Sequence, residues 1–120
     1  MTTIDVAGGL LIKAEPYDWP YTRALDLEHT ALVPIDWQYG FRGVTSMVIT
    51  GTTTNVCVST TMREANDPGY ECLMLSDCTA ATDFRNHEAA LRMVLMHGGV
   101  FGAVSTSTAV LEALPALPAA

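Results

Sequence analysis

Ile49-Thr50-Gly51-Thr52-Thr53-Thr54-Asn55-Val56-Cys57-Val58-Ser59-Thr60-Thr61 is the stretch that decides how this chain folds. The residues leading into it, Val44 to Thr50, are apolar and rich in β-branched side chains, as a buried strand requires. That strand breaks at Gly51 and crosses three threonines. It then enters Asn55 to Asn66, a helical segment stopped by Asp67-Pro68-Gly69. Strand, tight polar turn and helix together place Cys57 in a helix's first turn. Backbone N–H groups and the positive end of the helix dipole converge there, favouring a thiolate and able to hold a developing oxyanion. A cysteine nucleophile needs that placement. The plainer alternative is a small residue packed on the first turn of a helix.

Working outward, the same alternation repeats. Leu32 to Ile35 reads as a buried strand, although Pro34 removes a ladder donor, which favours the sheet edge. Cys72 to Leu75 reads as a third strand and Val100 to Val104 as a fourth. Asp83 can cap a helix running to about Met96, with Ala89, Ala90, Met93 and Val94 at helical spacing and Gly98-Gly99 ending it. Ser107 to Leu114 forms a last helix. Strands alternating with helices predict an α/β fold: a truncated three-layer α/β/α sandwich with a mostly parallel sheet of about four strands. Residues 1–30 divide off as an N-terminal arm, interrupted by Pro16 and Pro20 with Tyr17, Trp19 and Tyr21 between and beside them. This arm is either packed on a surface or a partly ordered tail. Residues 31–120 form the domain.

Composition narrows the function. The chain has 120 residues and a net charge of −7 with only six basic side chains, which argues against nucleic acid or an anionic membrane as partner. No apolar run is long enough to span a bilayer, and no basic region followed by an apolar one marks a secretory signal. Three cysteines, an odd number without zinc-type spacing, suit a reducing cytosol. The expectation is a cytoplasmic protein with no cofactor and no metal site.

Thr50 to Thr82 (TGTTTNVCVSTTMREANDPGYECLMLSDCTAAT), Asn86 to Met93 (NHEAALRM) and Gly98 to Ser107 (GGVFGAVSTS) together resemble the isochorismatase-like cysteine hydrolases. Within them the chain looks closest to the amidohydrolase branch acting on small ureido compounds, which includes biuret hydrolase and ureidoacrylate amidohydrolase. His29 to Gln38 (HTALVPIDWQ) resembles that family's first strand, which ends in an aspartate followed two residues later by glutamine. The opening residues, Met1 to Pro20, look like the extension of that branch. The resemblance implies Cys57 as nucleophile and Asp36 as the general base that takes its proton. It implies a cis peptide at Thr52–Thr53 and an oxyanion hole from the N–H groups of Thr53 and Cys57. Gln38 and Asn55 are the residues it sets beside substrate, Asn55 being also a candidate helix cap.

Two departures follow. The family's triad is Asp–Lys–Cys, with the lysine between the aspartate and cysteine strands, yet the only lysine here is Lys13 in the arm. Only Tyr39 to Gly43 separate Gln38 from Val44, where the family has a long run of strands and helices. The chain therefore reads as a member with a large internal deletion. A parallel crossover ordinarily needs a dozen or more residues. If the two strands formed an antiparallel hairpin, Asp36 and Cys57 would lie roughly 20 Å apart, at about 3.3 Å per residue. If they are parallel, the steps from Asp36 to Val44 reach at most roughly 26–29 Å, just enough to return along the sheet. Exchange of the strand between two copies is the third solution.

Other residues draw milder expectations. Cys72 and Cys78 flank a strand end and read as core or turn. Asp77, Thr79 and Thr82 fall in the loop after the third strand, where they either line a pocket mouth or serve turn chemistry. His87, in the first turn of its helix, and His97, near its end, read as capping or packing residues. Trp19 and Trp37 wall a small apolar pocket or pack in the core. The implied reaction is hydrolysis of a C–N bond in a small amide or ureido compound through a thioester, impaired by loss of the lysine, in a homo-oligomer. The alternative is a catalytically inactive remnant acting as an oligomeric interaction or structural module. A thiol-redox role lacks its Cys-x-x-Cys motif.

Overall fold

A computed structural model of the chain describes residues 10–22, 24–34 and 43–115. Its centre is a sheet of four strands: β1 (Thr30–Pro34), β2 (Ser46–Thr52), β3 (Glu71–Ala80) and β4 (Ala103–Ser105). They lie in the order β1-β2-β3-β4 and every neighbouring pair is parallel. The α/β class and parallel sheet read from the sequence are therefore present. β1 is an edge strand of this sheet, which accommodates Pro34.

Parallel strands in sequential order need crossover helices on one face. Those helices are α1 (Ser59–Asn66), between β2 and β3, and α2 (Phe84–Leu95), between β3 and β4. Because side chains alternate along a strand, each strand feeds two cores. Met47, Ile49, Cys72, Met74 and Val104 meet Val58, Met62 and Val94 on the helix-covered face. Val48, Leu73, Leu75 and Ala103 point the other way, onto Ile12, Trp19 and Leu25 of the arm, with Ala109, Val110 and Ala113 of α3 (Ser107–Ala113) packed against them. The second outer layer is thus part helix and part arm. Leu10 bridges Leu25 and Ile12 bridges Trp19 in antiparallel fashion, and Glu15 bridges Val104 of β4. Trp19 is fully buried.

The register of β1 on β2 runs from Thr30↔Ser46 to Pro34↔Thr50. Of the arrangements weighed for the first strand and the cysteine strand, the structure shows the parallel one, Thr30–Pro34 lying alongside Ser46–Thr50; the residues that join them, 35–42, lie outside the described ones. The antiparallel hairpin is thereby excluded. The carboxyl ends of β1 and β2 consequently share one edge of the sheet.

Several boundaries differ from the sequence reading: β1 begins at Thr30 rather than Leu32, and the helix expected from Asn55 starts as α1 only at Ser59, Cys57 lying in the turn before it. β2 begins at Ser46 rather than Val44 and continues through Gly51 to Thr52. β3 runs on to Ala80, taking in Asp77 and Thr79, which the sequence reading put in a loop. Its register slips, since Ile49 pairs with Met74 but Gly51 pairs with Thr79, so β3 bulges between these points. β4 starts only at Ala103, after Gly102, which sits at φ +138° where a Cβ would stand 2.1 Å from the Cys72 carbonyl oxygen. Among the described residues, no helix is long and apolar enough to cross a membrane.

Candidate active site

β2 ends at Thr52, and the Thr52–Thr53 peptide that follows is cis. Thr53 is extended and caps a wide turn, Thr54–Val58, that winds directly into α1. The turn is opened by one acceptor taking two donors. The Thr53 carbonyl receives the N–H of Val56 at 3.0 Å and that of Val58 at 3.2 Å. The second bond spans five residues, the spacing of a π-turn, a form that recurs at functional sites. Cys57 lies between those two donors and is exposed, whereas Val58 beside it is fully buried in the core under α1. Asn55 is exposed within the turn rather than at its cap, the cap being Thr53.

The turn is pinned from two sides. Thr54 is fully buried, and its hydroxyl stands 2.7 Å from Nδ1 of His87, itself only 8% exposed. The Thr54 carbonyl accepts the Ser59 hydroxyl at 2.8 Å. His87 belongs to the first turn of α2, whose cap is Asp83: its carboxylate accepts the Arg85 N–H at 2.9 Å and its carbonyl accepts the His87 N–H. Phe84 stacks on the His87 ring with centroids 5.7 Å apart. This bond between α2 and the cysteine turn is absent from the sequence reading, which treated His87 as a capping or packing residue. A signal was available. Crossovers after adjacent parallel strands share a face, so the first turn of α2 has to meet the turn that follows β2.

Asp77 lies in the bulged part of β3 and receives both the N–H and the hydroxyl of Ser107 at the start of α3. Those hydrogen bonds hold its carboxyl below the usual range. Its work is to tether α3 rather than to line a pocket. The Thr79 hydroxyl turns inward and donates to the Leu75 carbonyl. Cys72 is buried in the core as expected, whereas Cys78, half-buried, lies in the continuation of β3 and packs against the second core rather than in a turn.

Lys13 does not join this group. Its ammonium is exposed and paired with Asp18 at 3.1 Å, and the Lys13 carbonyl accepts the Ser105 hydroxyl of β4. β3 lies between that strand and β2. Lys13, Glu15 and Asp18 line an open cleft of about 470 Å³ with Ser76 and Thr106. Asp36, Gln38 and Trp37 lie outside the described residues.

Comparison with known proteins gives one consistent result. Residues 34–109 match the family model described as the isochorismatase domain. The chain is 35% identical over 60 residues to the uncharacterized isochorismatase family protein YwoC of Bacillus subtilis, covering 50% of this chain and 32% of that one. It is 41% identical over 59 residues to ureidoacrylate amidohydrolase RutB of Methylobacterium radiotolerans, covering 48% and 23% respectively. An isochorismatase-like hydrolase from Alkaliphilus metalliredigens superposes with a TM-score of 0.54 at 34% identity, over 59% of this chain and 37% of the other. The match thus spans about a third or less of the length of the curated relatives.

Proposed function

Since this chain belongs to the isochorismatase family, we propose that it is a cysteine hydrolase of small amide or ureido compounds, with Cys57 as nucleophile and with turnover impaired by the missing triad lysine. The observation that carries this reading is the exposed Cys57 on the wide turn leaving the carboxyl end of β2. Its sulfur attacks the substrate carbonyl, and the tetrahedral oxyanion is received by the N–H groups of Thr53 and Cys57. The C–N bond then breaks, a thioester remains on Cys57, and water releases the acid.

Asp36 is the base in this scheme. It follows Pro34 by two residues, and Pro34 pairs with Thr50 on the strand that delivers Cys57. Gln38 and Asn55 contact the substrate. No lysine follows β1 before Cys57, and Lys13 is engaged with Asp18 beside β4. Residues that act as one unit give losses far from additive, so absence of the lysine removes several orders of magnitude of rate. An unactivated amide also needs its departing nitrogen protonated, which an activated ester does not. Slow turnover of an activated ester, abolished in Cys57→Ala, with background turnover of biuret-like amides, is the expected pattern. Robust amide hydrolysis that collapses in Lys13→Ala would overturn it.

The loss of that lysine also favours a second reading, a non-catalytic remnant acting as an oligomeric structural module. The absence of any acyl adduct on Cys57 would select it.

A further inference from the structure

We propose that His87 is a positioning residue for the nucleophile: through Thr54 it locks the wide turn that presents Cys57. The proposal rests on the reading of Cys57 as nucleophile. Three observations carry it. Thr54 and His87 are both buried, and their polar atoms meet at 2.7 Å. The α2 cap is supplied by Asp83, so capping does not require the His87 side chain. The turn spanned by the Val58–Thr53 bond is wider than an α-turn and winds straight into α1.

A buried polar pair that satisfies itself adds little net stability over an apolar pair of the same shape. What it adds is direction. A hydroxyl and an imidazole nitrogen meet along one line, whereas apolar side chains slide. The bond survives either charge state of His87, because the neutral ring can accept from Thr54 and the protonated ring donates to it. With the Ser59 hydroxyl on the Thr54 carbonyl, Thr54 is held at side chain and main chain alike. Without the bond to α2 the turn is free to tighten towards ordinary α-winding, which swings the sulfur away from the N–H groups that are to receive the oxyanion.

The test uses the full chain and two reagents. Acylation by p-nitrophenyl acetate needs sulfur and oxyanion donors in register, whereas alkylation by iodoacetamide needs an accessible thiol. His87→Leu and Thr54→Val are each expected to slow acylation of Cys57 about tenfold, since small misplacements of a reacting group carry costs of this size or larger. The double variant loses no more than either single one, because both remove the same bond. His87→Asn and Thr54→Ser, which can restore a hydrogen bond, stay within about threefold of the parent, and alkylation of Cys57 stays within about threefold throughout. Unfolding midpoints recorded alongside separate positioning from stability. Parent-like acylation in Thr54→Val, or losses that track the unfolding midpoint across the set, would overturn the proposal. Should His87→Leu not fold, the near-isosteric Thr54→Val and Thr54→Ser decide it. Failure of the underlying reading has its own signature, parent-rate acylation in Cys57→Ala, and overturns both.

Discussion

Cys57, Cys72 and Cys78 are one side chain in three environments, and their contrast is the residue-scale content of the structure. Cys72 is buried at the root of β3, and burial, assisted by the neighbouring Glu71 charge, pushes its thiol up to about 12. Cys78 is raised too, by burial first and then by the charge of Asp77. Cys57 alone is exposed. Because the thiolate is the reactive form, Cys57 is expected to be alkylated fastest and Cys72 slowest at neutral pH, as read by mass spectrometry of each cysteine. Faster labelling at Cys78 would contradict this ranking. That Cys57 follows the carboxyl end of an apolar strand was legible in the sequence, because glycine and threonines before a helical pattern allow few geometries; its place on a wide turn ahead of α1, rather than in the helix's first turn, was not. Neither was the Thr54–His87 bond. A histidine in a helix's first turn has the same sequence signature whether it faces solvent or a buried threonine.

At the scale of elements, β3 teaches most. Ser76-Asp77-Cys78-Thr79 has the composition of a turn, and sequence reasoning ended the strand at Leu75. The strand instead continues to Ala80, because the Thr79 hydroxyl satisfies the Leu75 carbonyl and Asp77 binds the amino end of α3. Long-range partners decide such a segment, and composition does not carry them. By contrast the bounds of α2 were readable, from Asp83 and the glycine pair, and the expected helix Ser107 to Leu114 is present as Ser107–Ala113. The Asp77 tether makes a pH prediction. A carboxyl held below its ordinary value contributes stability that is full above the unfolded value of about 3.9 and is lost as pH falls through the folded one. Urea midpoints should therefore fall as pH drops below about 4. Asp77→Asn should flatten part of that fall. An identical profile in the variant would remove the tether from the account.

At the scale of the whole molecule, the described part of the arm, from Leu10 on, contributes Ile12, Trp19 and Leu25 to a core. Trp19 has no exposed surface and fills the face of β2, β3 and β4 opposite α1 and α2. Trp19→Ala is expected to cost about 3–5 kcal/mol, measured by chemical denaturation. A loss below about 1 kcal/mol, the size of a typical surface effect, would mean that the arm is dispensable. The same face is bare at its edge. Leu32, paired with Val48, stands 67% exposed. A second copy would cover that edge strand, and light scattering is expected to find an oligomer. A well-folded monomer at high micromolar concentration would contradict it. The sequence posed the β1–β2 connection as three alternatives because chain length alone permits them all. The parallel register, with Val33 beside Ile49 in one core, removes the antiparallel hairpin from the three. The central claim is that Cys57 is the nucleophile of a hydrolase, and intact-mass analysis of the chain mixed with p-nitrophenyl acetate tests it most directly. The account predicts one acyl group per chain, mapped to Cys57, released by hydroxylamine and absent in Cys57→Ala. An adduct that forms equally in Cys57→Ala, or none on Cys57 at all, would contradict it.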